Sequence, residues 1–245
     1  MGEMEQRMER PTNSDLLWAK IRLAEGCLFS ATQTFWNHPD LPSLFPGFLI
    51  QTHCLMRSGL TMMAVAIERA RAMPEDPVAQ ALADYLEIHL QEELGHDLWL
   101  LDDIRTLGFE DQQVLKAQPC AASVTLIGSQ YFWMMHVHPV AIMGYLILME
   151  GYAPVAAQLE EIRARSGAPE TAFRCLMRHA EDDPAHIADL NRVLDGMSLS
   201  QEQIQAVGMC AFAAIDGVVA MFEELMESHL NKTFERAREL QHAVA

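Results

Sequence analysis

Basic residues are scarce in this chain: 17 lysines and arginines stand against 34 acids, a formal net charge of -17 over 245 residues. An acidic surface repels phosphate backbones, and no basic patch interrupts it, so nucleic acid is not an expected partner. Paired cysteines are missing too. Cys27, Cys54, Cys120, Cys175 and Cys210 are scattered, odd in number and form no CxxC, which argues against a disulfide framework or a zinc knuckle. Free thiols suit a reducing cytoplasm, and the charged opening residues lack the apolar stretch of a signal peptide. There is no alternating strand pattern, no repeat and no linker long enough to divide the chain. Half of the residues are hydrophobic, enough for one compact domain with a sizeable core, with 1–12 and 231–245 at its periphery. The stretch from Pro119 to Met149 carries no formal charge, but Ser129, Gln130, His136 and His138 interrupt it. Its strictly apolar part, 140–149, is too short to span a bilayer. It predicts buried core helices and no membrane partner.

What remains is helical. Ala/Leu/Met/Glu-rich stretches run between prolines, predicting an all-α fold with helices near 13–37, 46–72, 77–106, 120–136, 139–165, 169–195 and 200–230. Gly108, Gly167 and Gly196 stand where left-handed C-caps belong. Ser200 and Gln203 form a capping box for the last long helix.

Three places carry chemistry. On helix 77–106, Leu82, Leu86, Leu90, Leu100 and Ile104 make one apolar face at about 100° per residue. Glu93 falls in its middle and Glu92 about a quarter-turn outside. His96, three residues on, reaches the same point, and His89 shares the edge of His96. A carboxylate in an apolar face is costly unless paired or bound to metal, so the alternatives are a metal site or a plain Glu93–His96 or arginine pair. On helix 169–195, His179, Asp183 and His186 form a narrow stripe overlapping Leu176, Ala180, Ile187, Leu190 and Leu194. Imidazole and carboxylate together suit iron or manganese in open sites; a buried polar network without metal is the plainer alternative. Pro184 lies inside the motif and predicts a kink or unwinding between Asp183 and His186. Glu150 is the only charge in a long apolar run, and reads either as a third inward carboxylate or as the exposed end of that run. Facing helices that offer inward carboxylates and histidines are how helical bundles hold two irons. Only Glu93–His96 has the Glu-x-x-His spacing, which counts against a ferritin-like bundle.

Glu93-x2-His96, a single Glu150, and His179-x3-Asp183-x2-His186 resemble the heme-oxygenase-like di-iron oxygenases, most closely the group that includes the undecene-forming fatty-acid decarboxylase. Order and spacing of all six positions match across 77–195. The resemblance implies a single-domain heme-oxygenase-like bundle of about seven core helices. It also implies two ferrous ions and O2 as co-substrate. Glu93, His96 and His179 would hold one iron and Glu150, Asp183 and His186 the other, with Glu150 bridging and the second position labile. All six would act catalytically through the metals, oxidising an amino acid, an amine or a fatty acid. His89 is extra to the pattern, a supporting group or an alternative ligand.

Phe132, Trp133, Met135, His136, Tyr145 and Met149 are candidates to line a substrate pocket, and Arg163, Arg174 and Arg178 to hold a substrate carboxylate. Small residues on the last helix (Ala213, Ala214, Gly217, Ala220) suit a homodimer face. Two rival readings remain. One is a thiaminase-II-like hydrolase using Cys120 or Cys175 without metal, which leaves His179, Asp183 and His186 unexplained. The other is an iron-binding protein without turnover.

Overall fold

A computed structural model describes the backbone of residues 10–243 and the side chains of residues 10–230. Residues 1–9 and 244–245 and the side chains of 231–243, all within the expected peripheral segments 1–12 and 231–245, lie outside the described residues. The described residues are helical throughout, with no strand. The seven expected stretches become nine α-helices, and a tenth, α5, forms where none was expected: α1 (Asn13–Trp36), α2 (Leu41–Arg71), α3 (Pro77–Glu93), α4 (His96–Arg105), α5 (Asp111–Leu115), α6 (Ala121–His136), α7 (Ile142–Gly151), α8 (Ala156–Ser166), α9 (Arg174–Gly196) and α10 (Gln201–Ala243).

The differences have local causes. The stretch expected at 77–106 breaks at Leu94 (φ -63°, ψ 120°) and Gly95 (φ 96°, ψ -5°), the dihedrals of a type II turn, which needs glycine at its third position. The stretch expected at 139–165 opens with a 3-10 turn, Pro139–Ala141, and bends by 64° between α7 and α8, where Gly151 and Pro154 end one helix and precede the next. α2 begins at Leu41 rather than at Pro46, because Pro42 sits in the first turn, where its missing N–H is no loss. α9 runs through Pro184 without the expected unwinding; Pro184 faces solvent, where water can satisfy the freed carbonyl. Gly108 (φ 88°) and Gly167 (φ 66°) are left-handed as expected and Gly196 is not, since α9 includes it. The Ser200–Gln203 capping box is present in both directions, at 2.8 and 3.2 Å.

The core is one contiguous apolar cluster. α10 packs against α1, α6 and α7. α7 is buried from Ile142 to Leu148, so its approach to α10 has to be close. Gly144 permits it: a Cβ there would lie 2.0 Å from the Val207 carbonyl oxygen. On α10, Ala214 and Gly217 are buried within the chain, and a Cβ on Gly217 would meet Leu126 of α6 at 2.5 Å. Those small residues therefore serve internal packing. By length and composition one described helix could cross a membrane, Gln201–Leu230 within α10, and half of its apolar window is buried inside the protein.

Polar ties fix the helices that bear the chemistry. Asp103 of α4, 1% exposed, accepts from the Cys175 backbone N–H at 2.7 Å and from Arg174 at 3.0 Å, joining α4 to the start of α9. Trp18 of α1 donates to Asn191 of α9 at 2.9 Å. Tyr152, just beyond α7, donates to Glu25 of α1 at 2.6 Å. Buried and half-buried hydrogen bonds of this kind favour one arrangement, because another leaves groups such as Asp103 unpaired.

Candidate metal centre

α3, α4, α7 and α9 bring all six sequence-predicted residues together. Glu93, His96 and His179 can each place one donor atom within 4.8 Å of the others, and so can Glu150, Asp183 and His186. Glu93 is the last residue of α3 and His96 the first of α4, so the turn at Leu94–Gly95, not a continuous helix, aims them at one point. His96 Nδ1 lies 3.0 Å from Glu93 Oε2, and His179 Nε2 lies 3.7 Å from the same oxygen. The other oxygen, Oε1, faces His186 Nδ1 at 3.6 Å. Glu93 thus stands between the two groups. Glu150, the bridge implied by the resemblance, turns its oxygens instead to His186 (3.2 Å) and His89 (2.9 Å). Glu150 is not an exposed helix end: its side chain is 12% accessible.

The electrostatics follow from burial and from contacts among the clustered side chains. Burial opposes ionisation of Glu93, yet hydrogen bonds from His179 and His96 hold its carboxyl well below the usual range. Burial, more than any neighbouring charge, lifts Asp183 to about 7. The hydrogen bond to Glu150 lifts His186 to about 9. Burial would lower His179, but its contacts with Cys175 and Glu93 prevail and hold it at about 11. Two polar atoms here, His89 Nδ1 and Asp183 Oδ1, are buried with no hydrogen-bond partner, and the buried Glu150 Oε2 and His186 Nδ1 have each other at 3.2 Å. Buried polar atoms are nearly always paired, and a cluster of orphaned nitrogen and carboxylate oxygen donors converging on one place fits iron or a similar divalent ion.

The centre lies on the wall of a cavity of about 620 Å³. Apolar side chains from four helices, among them Leu28, Phe48, Met63, Tyr145, Leu146 and Phe222, form most of that wall. Tyr145 and Met149 line it as expected; Phe132, Trp133, Met135 and His136 do not. Phe132 and Met135 point to solvent from the outer side of α6, because that helix turns its other face to α10. None of the expected arginines lines the cavity. Arg163 pairs with Glu160, Arg174 with Asp103 and Arg178 with Asp182. Arg165, which the sequence reading passed over, does line it and donates to the Trp36 carbonyl at 2.9 Å. Nothing in its neighbours along the chain sets it apart from Arg163. Of the two proposed nucleophiles, Cys120 lies off the cavity, bonded to Ser123. Cys175 does line the cavity, but it is 1% exposed and burial raises its thiol pKa. A nucleophilic cysteine needs the opposite environment.

Among solved structures, the chain resembles a protein of heme oxygenase-like fold from Shewanella denitrificans OS217, at 18% identity over 89% of this chain and 93% of that one, with a TM-score of 0.76. A TenA homolog from Pseudomonas syringae pv. tomato DC3000 is 13% identical over 93% and 98% of the two chains, TM-score 0.66. A CADD-like protein from Nostoc punctiforme PCC 73102 is 16% identical over 88% and 97%, TM-score 0.66. These likenesses establish a heme-oxygenase-like fold. No curated protein gives a significant sequence match. Residues 46–219, which carry all six clustered residues, match the family described as iron-containing redox enzyme, and the chain belongs to that family.

Proposed function

We propose that the protein is a non-heme di-iron oxygenase or oxidase that uses O2 to oxidise a small, largely apolar molecule held in the 620 Å³ cavity. The observation that carries this reading is the meeting of three histidines and three carboxylates, with orphaned buried donor atoms, where all but His186 line an apolar cavity. Glu93, His96 and His179 would hold one ferrous ion and Glu150, Asp183 and His186 the other. Three carboxylates nearly offset two ferrous ions and leave about one positive charge in the core. When bound, iron supplies the oxygen-activating electron chemistry that these side chains lack. The chain's own part is orientation and exclusion. Asp103 and Arg174 pin α4 against α9, Cys175 accepts from His179 through its carbonyl at 3.1 Å, and the apolar wall keeps water from the reacting atoms. Substrates of suitable chemistry are a fatty acid, an amine or an amino acid, with Arg165 the cation available to a carboxylate. A homodimer and a cytoplasmic setting belong to the same reading.

A hydrolase with Cys175 as nucleophile is the second reading, favoured only by the place of that residue on the cavity wall. Reconstitution separates the readings. The full chain is loaded anaerobically with ferrous iron, freed of excess and assayed for iron. About two ions per chain, followed by oxygen consumption that depends on an added fatty acid or amino acid, is the expected result. His179→Ala and Asp183→Ala should each lower iron retention and abolish oxygen uptake with the helical signal intact. A folded chain that retains no iron rejects the proposal and moves Cys175 to the front; two ions without oxygen uptake leave a passive iron binder.

A further inference from the structure

We propose that His89 is a seventh metal ligand, which gives the Glu150–Asp183–His186 group a fourth donor and makes it the tighter of the two metal positions. The inference rests on the di-iron reading above.

His89 lies on α3 four residues before Glu93, so both side chains leave the same helix face. The imidazole is 1% exposed, and its Nε2 sits 2.9 Å from Glu150 Oε1. Its ring stands perpendicular to that of His186, with centroids 5.0 Å apart, so the two imidazoles meet beside the same carboxylate. Tyr85 stacks on His89 at 5.4 Å and 15°, which fixes the plane of the ring.

A histidine bound to metal presents one ring nitrogen to the ion and donates the other N–H to a carboxylate or carbonyl. His179 is built this way: its Nδ1 lies 3.1 Å from the Cys175 carbonyl oxygen, leaving Nε2 to face Glu93. His89 shares the first half of the pattern. Its Nε2 points into the cluster, and its Nδ1, without a hydrogen bond of its own, lies 3.6 Å from Glu92 Oε2. Glu92, 51% accessible, is the carboxylate facing that nitrogen from the surface.

The competing explanation is a plain His89–Glu150 ion pair. It leaves Asp183 Oδ1 buried and unpaired, and it leaves the His186 Nδ1 to Glu150 Oε2 contact at 3.2 Å, beside the same carboxylate, unused. His186 belongs to two possible donor groups, Glu150–Asp183–His186 and His89–Glu92–His186, and His89 Nε2 lies 2.9 Å from Glu150, so an ion shared by His89, Glu150, Asp183 and His186 would use those atoms as donors. His89 adds no charge as a neutral ligand. Two nitrogens and two carboxylates then stand against Glu93, His96 and His179 at the other position. More donors around one ion give higher affinity, so the first metal taken up goes to the His89 position. That order is opposite to the labile second iron which the sequence resemblance implies.

Cobalt(II) reports the ligands directly. The full chain, stripped with chelator and labelled with 15N-histidine, is loaded with cobalt(II), and hyperfine-shifted imidazole N–H resonances are counted by NMR. Four are expected in the wild type and three in His89→Ala. Chelator competition should show the affinity of the tighter position falling at least tenfold in that variant. His89→Gln, which can still donate to Glu150, should lose the same resonance and the same affinity; a Gln variant with full affinity would mean that His89 only positions Glu150, and overturns the proposal. Two bound cobalt ions with three shifted resonances in the wild type also overturn it, while leaving the di-metal reading standing. A folded wild type that binds no cobalt overturns both. The wild-type count decides the matter even if His89→Ala fails to fold.

Discussion

Replacing Asp183 by asparagine should stabilise the metal-free protein and remove its response to metal. Asp183 is 5% exposed, and its Oδ1 has no hydrogen-bond partner. Burial raises its carboxyl from 3.8 to about 7. The folded chain therefore keeps a proton that the unfolded chain releases as pH rises from about 4 to about 7. Through that window the folded state loses ground with each step in pH, and the loss is complete above pH 7. At about 1.4 kcal/mol per pH unit, the ceiling is about 4 kcal/mol. An asparagine side chain is neutral at every pH and has nearly the same shape. In chelator at pH 8 the Asp183→Asn variant should gain about 2–4 kcal/mol over the wild type, and below pH 4 the two should converge. Ferrous iron acts in the other direction. At a hundredfold excess over its dissociation constant it should stabilise the wild type by about 2.7 kcal/mol per site, and the variant by clearly less. Anaerobic urea denaturation followed by far-UV circular dichroism, from pH 4 to 8 with chelator or with iron, reads both effects. Parallel pH profiles in chelator would refute the burial argument; equal iron-induced shifts would refute the ligand assignment.

Three other outcomes are expected. Gly95→Ala places a side chain at φ 96° with nothing within 4 Å of its Cβ. The backbone alone is strained, so the loss should be about 1–2 kcal/mol in denaturant melts, with weaker iron retention through displaced His96; unchanged retention would show that the turn does not aim that residue. Gly144→Ala drives a methyl into the Val207 carbonyl and should cost about 3 kcal/mol or more, whereas Gly26→Ala, with open space around its Cβ, should be neutral or stabilising; equal melting temperatures for the two variants would overturn the close packing of α7 on α10. Iron uptake should release protons, because His179 and His186 are held protonated to about 11 and about 9. Apparent affinity should climb steeply from pH 6 to 9 and more gently beyond, and a flat profile in anaerobic titrations would mean that neither imidazole binds the ion.

The sequence alone determined that the chain is helical and which residues could meet around a metal. Apolar periodicity placed Glu93, His179 and Asp183 on inward faces, and spacing of three and four put their histidine partners beside them. Those are properties of a few consecutive turns, so the sequence expresses them locally. It was silent where the outcome depended on contact between distant segments. The helix expected across 77–106 breaks at Leu94–Gly95, a type II turn that apolar periodicity does not signal. Aromatic residues near the site in sequence were natural candidates for the pocket, but the way α6 lies on α10 turned Phe132 and Met135 to solvent. Arg165 joined the cavity wall and Arg163 did not, because α8 has one face toward α2 and α9 and another toward solvent. Glu93 stands between the two donor groups for the same reason: which oxygen faces which imidazole depends on the distances among α3, α7 and α9, and packing alone sets those distances.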